Sequence, residues 1–263
     1  MRKWFCIFIA GFATLVFFPF TVIAMLVTLR TSSSMYVVQR WWSPVLLWAG
    51  GATLEVLGKE HADPRRAAIY VCNHQSTLDI PAVFRGLWPV DFRFVVKQQL
   101  KYVPVLGWYL SLAGYPFVDR GNHAKAVASL AKAGRKIRGG TSVVVFAEGT
   151  RSDTGAILPF KKGPFALAME AKVPVIPVTI EGTRHVMPKN SWDIVPGPVR
   201  IKVGEPIDIA QFDGNREALI RAVRDVIIRQ SVELGGLGGD ANAAIAARGQ
   251  EGIGRAADEK QSA

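Results

Sequence analysis

The pattern of apolar and polar positions divides the chain sharply. From Trp4 to Leu29, WFCIFIAGFATLVFFPFTVIAMLVTL, no residue is charged. A helix crossing the hydrocarbon core takes roughly 20 residues, so this run is long enough to span. Arg2 and Lys3 precede it as in a signal peptide, but the run is too long and no small-residue cleavage site follows; a retained anchor is expected. Pro19 leaves open a kinked span or a re-entrant pair of half-helices. The stretch from Met35 to Gly58 carries Trp41, Trp42 and Trp48. Trp41 and Trp48, seven residues apart, share a helical face, which suits a helix lying in the headgroup region or a core helix rich in tryptophan.

Past Gly58 the pattern becomes that of an α/β domain. Buried strands are predicted at Ala67 to Cys72, Phe92 to Val96 and Ser142 to Ala147. Val173 to Ile180 reads as a further strand, with two prolines that point to an edge or an irregular course. Val199 to Gly204 alternates apolar and basic residues, as a half-exposed strand does. Helices are predicted over His123 to Arg138, Pro164 to Lys172 and Arg216 to about Leu234, the last with Ile220, Val223 and Ile227 on one face. Residues 235–263 are rich in Gly and Ala and are expected to be a disordered tail. The expected organisation is therefore a membrane anchor with an interfacial helix over 1–58, an α/β sandwich over 59–234, and that tail.

The chain has 263 residues and a formal charge of +11, with 49% apolar residues. Because the apolar excess lies at one end, the basic balance fits an anionic membrane surface and anionic ligands rather than nucleic acid. The two cysteines, Cys6 and Cys72, have no metal-binding spacing, so no structural metal is expected.

Candidate chemistry begins where the first strand of the domain ends, in VCNHQSTLD. His74 and Asp79 are spaced so that an aspartate in the first turn of a helix folds back to the imidazole. Such a carboxylate fixes the tautomer and leaves the other nitrogen free as a base. The alternative is a capping Asp with a solvent-facing His. Ser76 lacks a nucleophile elbow and suits a helix cap, while Cys72 reads as a packing cysteine. A second candidate, FAEGTRS, follows another strand: Gly149 permits a tight turn and Arg151 offers a fork of donors to an anion. A third, YPFVDRGN, places Arg120 after a short apolar run, where it converges with Arg151 on one phosphate or pairs with Asp119. Lys161 and Lys162 line a long anionic ligand or merely a solvated face.

Taken in order, these motifs resemble the glycerolipid acyltransferase family, and within it the 1-acyl-sn-glycerol-3-phosphate acyltransferases. Asn73-His74-x-x-x-x-Asp79 matches the first motif, Phe117-Val118-Asp119-Arg120 the second, Phe146-Ala147-Glu148-Gly149-Thr150-Arg151 the third, and Val173-Pro174-Val175-Ile176-Pro177-Val178 the fourth. Ala147 replaces the usual proline of the third. KQQL lacks the acidic residue that often follows its lysine, so Lys97 is not counted as a site. The resemblance implies a mixed-sheet α/β sandwich behind membrane-associated helices. It implies His74 as base and Asp79 as its orienting partner, with Arg120, Glu148, Gly149, Thr150 and Arg151 binding substrate phosphate. The implied reaction moves a fatty acyl group from acyl-CoA or acyl-carrier protein, as co-substrate, to the sn-2 hydroxyl of 1-acyl-glycerol-3-phosphate, giving phosphatidic acid, with no metal or other cofactor, at a cytoplasmic membrane with the catalytic domain facing the cytoplasm. Another lysolipid acceptor, or a thioesterase or lipase working through Ser76 or Cys72, are the rival readings.

Overall fold

A computed structural model describes residues 2–118, 134, 137, 139–191 and 193–239. The first helix, α1 (Arg2–Thr28), runs unbroken through Pro19. At 1.5 Å per residue it is about 40 Å long, and it is apolar enough to cross a membrane. Only Cys6, Ala13, Thr21 and Met25 are buried along it. These face α2 (Thr31–Val37), a π-helical turn (Val38–Trp42) and α3 (Ser43–Gly50), which return alongside it. The Cys6 thiol donates to the Ala49 carbonyl at 2.8 Å, and Trp42 Nε1 donates to Thr14 at 3.1 Å.

The helix predicted over Met35 to Gly58 ends earlier than the pattern suggested. Gly51 takes a left-handed conformation after α3, and Ala52–Leu57 form strand β1. Its alternation of half-buried and exposed positions is that of an edge strand. A boundary at residue 58 therefore separates β1 from the sheet to which it belongs. Trp41 and Trp48 are both exposed, while Trp42 packs inward.

The main sheet has six strands in the order β1-β8-β7-β2-β6-β3. Here β2 is Ile69–Cys72, β3 Phe92–Phe94, β6 Ser142–Phe146, β7 Val175–Glu181 and β8 Gly197–Val203. The pairs β2–β6, β2–β7, β3–β6 and β1–β8 are parallel, and β7–β8 is antiparallel, so the sheet is mixed. The strand predicted over Phe92 to Val96 breaks: after β3, Val96–Lys97 (β4) pair with Phe117–Val118 (β5) in a separate ribbon. Strand β7 lies in the middle of the sheet and is buried throughout, so of the two placements its prolines suggested the edge fails and the irregular course holds. Antiparallel pairing with β8 begins at Val178 and resumes as a bridge from Val175 to Ile207, so Pro177 falls in the gap. Its carbonyl still accepts from Gly204 N at 2.8 Å, and the proline, which has no N–H to return that bond, sits where the ladder breaks.

Helices cover both faces. One core gathers Tyr70, Phe84, Phe92 and Ile201 with α4 (Asp79–Gly86) and Met25 of α1. The other gathers Val71, Val145 and Phe165 with α6 (Gly163–Ala171) and α8 (Arg216–Glu233). On α8 the fully buried row is Leu219, Val223 and Ile227; Val223 and Ile227 lie on the predicted face, and Leu219 takes the place of Ile220, which is half-buried beside it. The intervening short helices are α5 (Leu106–Leu112) and α7 (Thr183–Val186). The helix predicted over His123 to Arg138 lies almost wholly outside the described residues. The predicted tail begins as packed chain: Ile157 N donates to Gly238 O at 2.7 Å and Gly236 N to Ser231 O at 2.7 Å. Residues 240–263 lie outside the described residues.

Candidate active site

Three neighbouring parallel strands, β6, β2 and β7, release their chains at the same carboxyl edge of the sheet, where loops gather binding groups. β2 ends at Cys72, and Asn73 takes over its pairing with β7. The Asn73 side-chain amide donates to the Ile180 carbonyl at 2.9 Å, and its oxygen accepts from Ile180 N at 2.8 Å. That bond pair turns the backbone out of the sheet at His74. Ser152 N then donates to the His74 carbonyl at 2.8 Å and ties the outgoing loop to the one after β6.

Asp79 opens α4 and is fully buried. Its Oδ2 accepts from His74 Nδ1 at 2.6 Å, Gln75 N at 2.6 Å and Ser76 N at 2.9 Å. Its Oδ1 accepts from Thr183 Oγ1 at 2.5 Å. With every partner donating to this carboxyl group, Nδ1 carries the imidazole proton and Nε2 keeps its lone pair. The ring is 17% exposed and stacks on Phe146 at 4.0 Å between centroids. Phe146 stacks in turn on Phe94 at 5.4 Å.

The His74 ring forms part of the wall of an apolar cavity of about 460 Å³. Phe18 of α1, Trp42, Phe84, Tyr109 of α5 and Phe146 complete much of that wall. Polar groups collect near Thr77, three residues past His74. Arg151 Nη1 donates to Thr77 Oγ1 at 3.0 Å, and Nη2 reaches Asn190 Oδ1 at 3.5 Å. Lys189 Nζ donates to the Arg151 carbonyl at 3.0 Å and pairs with Asp153 at 3.0 Å. One end of the site is thus apolar, the other cationic.

Sequence comparison fits this geometry. The Acyltransferase family model matches residues 53–181. A 1-acyl-sn-glycerol-3-phosphate acyltransferase of Limnanthes alba is 32% identical over 189 residues, covering 70% of this chain and 66% of that protein. The protein of the same name from Saccharomyces cerevisiae is 33% identical over 189 residues, 70% of this chain and 62% of that one. Its counterpart from Cocos nucifera is 34% identical over 166 residues, 62% and 52% respectively. The matches thus span from about half to just under two thirds of these relatives' lengths. The crystal structure of the 1-acyl-sn-glycerophosphate acyltransferase PlsC from Thermotoga maritima superposes with a TM-score of 0.78 at 29% identity, covering 89% of this chain and 95% of that one.

The chain belongs to the acyltransferase family.

Within this family member the sites expected from sequence fall as follows. His74 and Asp79 meet. Gly149 adopts φ 74°, and its N–H closes a turn onto the Phe146 carbonyl at 3.2 Å. That turn exposes Thr150 and carries Arg151 over to Thr77. Arg120 lies outside the described residues. The expectation for Glu148 as a phosphate-facing group is revised. Its carboxyl turns inward, 2% exposed, and accepts from His74 N at 3.0 Å and Leu158 N at 3.2 Å. Burial raises its pKa to about 8, against the pull of those two N–H donors. A buried carboxyl committed to two backbone donors fixes the loop that carries His74; it does not meet a substrate anion.

The rival nucleophiles are engaged elsewhere. Ser76 Oγ donates to the Met187 carbonyl at 2.6 Å and caps Leu78 N at 3.2 Å. Cys72 is fully buried, and burial, with the nearby Asp79 charge, pushes its thiol well above the ordinary range. Lys162 pairs with Glu217 at 2.9 Å on an exposed face.

The structure adds residues that pattern reasoning discounted or did not reach. Lys97 forms part of the cavity wall with His74, although its motif is degenerate. Thr183, the first residue of α7, reaches Asp79 from 104 residues away in sequence, and no spacing signals it. Gln75 Nε2 donates to Glu181 Oε2 at 2.9 Å, and Ser231 Oγ of α8 donates to Glu181 Oε1 at 2.6 Å. Burial raises the Glu181 pKa to about 7. Among the described residues no cluster of His, Cys, Asp and Glu has the makings of a metal site.

Proposed function

We propose that this chain transfers a fatty acyl group from an acyl thioester, acyl-CoA or acyl-carrier protein, to the 2-hydroxyl of 1-acyl-glycerol-3-phosphate, producing phosphatidic acid. The observation that carries the reading is the His74 ring, held at Nδ1 by Asp79 and set in the wall of an apolar cavity. Nε2 accepts the proton of the acceptor hydroxyl as that oxygen attacks the thioester carbonyl. The tetrahedral intermediate then collapses, the C–S bond breaks, and the imidazolium returns the proton to the departing thiolate. Asp79 balances the imidazolium between those two steps. The transfer is direct, since neither Ser76 nor Cys72 is free to carry an acyl group.

Arg151, on the turn formed by Gly149 and Thr150, and Arg120 of the second motif hold the acceptor phosphate. The cavity takes an acyl chain. α1 keeps the enzyme on the cytoplasmic face of a membrane, where both lipids reside. Moving an acyl chain into water costs about 0.8 kcal/mol per CH₂, and a site resting on lipid avoids most of that cost. The names of the relatives favour lysophosphatidate over other lysolipids. The test is transfer from a labelled acyl thioester to lysophosphatidate beside a panel of other lysophospholipids. Label in phosphatidic acid supports the reading. Label in a different phospholipid reassigns the acceptor, and label in free fatty acid alone makes the protein a hydrolase.

A further inference from the structure

The chain between β4 and β5 makes a fixed excursion beside α1. The β4–β5 ribbon closes its base. Its far end is pinned by Arg93, whose buried guanidinium donates to the Ala113 carbonyl at 2.7 Å. Its first turn is compact: a Cβ on Gly107 would lie 2.1 Å from the Lys101 carbonyl oxygen. One side of this segment, through Leu100, Tyr109 and Leu110, walls the cavity.

The other side is apolar and uncovered. Residues 101–106 are six exposed positions in a row. Tyr102 is 74% exposed and Trp108 71%, with Val103, Val105, Leu106 and Leu112 exposed around them. Isolated apolar residues on a surface need no explanation; a contiguous set on an anchored segment marks an interaction site. Val105 stands at its tip with φ 66° and ψ −57°, in a tight turn closed by Leu106 N onto the Pro104 carbonyl at 2.7 Å. A β-branched residue held at positive φ is strained, and such outliers cluster where function requires them.

Two features identify the partner. The patch continues into α1: Pro104, Val105 and Leu106 share a groove with Ala10, Thr14 and Phe18 of the helix. The exposed Lys97 and Lys101 flank it, and Tyr and Trp are the side chains that favour the membrane–water interface. We propose that residues 98–112 form a second membrane-contacting element, seated at the headgroup–acyl boundary of an anionic bilayer alongside α1, so that the cavity walled by both faces lipid. This rests on the membrane reading of α1.

The test uses the full chain reconstituted with phosphatidylcholine vesicles containing phosphatidylglycerol. An environment-sensitive NBD label is placed at Trp108→Cys and, as a control, at Gln211→Cys on an exposed turn far along the chain. The buried Cys6 and Cys72 leave the unsubstituted protein as the labelling blank. The expected result is a blue shift at position 108 with quenching by spin-labelled acyl chains, and neither effect at 211. Water-like emission at 108 in protein that pellets with the vesicles overturns this proposal and leaves α1 as the anchor. Protein that fails to pellet overturns both. A shift that grows with protein concentration and is not quenched by the lipid makes the patch a contact between copies instead.

Discussion

Thr183 donates its hydroxyl proton to Oδ1 of Asp79, the carboxylate oxygen that His74 does not use. The fully buried threonine follows β7, so a third strand end holds the carboxylate that orients the imidazole. A hydrogen bond to a charged group contributes about 1.5–3 kcal/mol. Thr183→Val, which keeps the shape and removes the donor, is expected to lower kcat by about tenfold to a hundredfold on that scale. KM for the lysolipid should stay unchanged. Thr183→Ser should recover most of the rate; equal losses in the two variants would show that packing alone is at work.

Glu148 and Glu181 give a pH signature. Both are pushed above the ordinary carboxyl value near 4.5, Glu148 to about 8 and Glu181 to about 7. Between the ordinary value and the raised one, the folded protein retains protons that the unfolded chain has released. Stability contributed by these groups therefore falls as pH rises through this window and levels off above it. Urea midpoints measured from about pH 5 to about pH 8 should decline, and Glu148→Gln should flatten the slope. Because Gln offers one acceptor oxygen where His74 N and Leu158 N need two, the variant should also be less stable and slower in kcat.

The cavity predicts a dependence on chain length. Each buried CH₂ contributes about 0.8 kcal/mol, or roughly fourfold in kcat/KM, until the chain fills the space. Leu110 is buried in the wall. Leu110→Trp should move the preferred chain to a shorter length in a series of thioester donors and lysolipid acceptors. An unchanged profile for both substrates would place the acyl groups elsewhere.

Much of this was legible in the sequence. The alternation of β and α patterns, the long apolar first helix and the His74–Asp79 pair are local signals, carried by periodicity or by a spacing of a few residues. What escaped depends on contacts distant in sequence. Pro177 argued for an edge because a proline cannot donate to a ladder, and only the gap between two stretches of pairing makes its central place tolerable. β1 was read as helix because its alternation follows directly on a tryptophan-rich helix, and the turn at Gly51 that separates them is a single residue. Only the family resemblance assigns Glu148 to the phosphate; its two N–H donors come from residues 74 and 158, contacts that no local spacing shows.

Arg151 bears on acceptor specificity. Its guanidinium sits on Thr77, beside the cationic Lys189. Arg151→Lys keeps the charge but loses the planar fork that suits a phosphate. It is expected to raise KM for lysophosphatidate by about tenfold or more while leaving KM for the thioester within twofold. A parallel rise in both would indicate a disturbed loop rather than a lost phosphate contact.

The most direct measurement is acyl transfer by His74→Ala beside Ser76→Ala and Cys72→Ala, with label followed from thioester into phosphatidic acid. General-base catalysis is worth about 10²–10⁴-fold, so His74→Ala should lose at least that much while both other variants retain activity. Substantial transfer by His74→Ala, or its loss in Ser76→Ala or Cys72→Ala with the fold intact, would contradict the account.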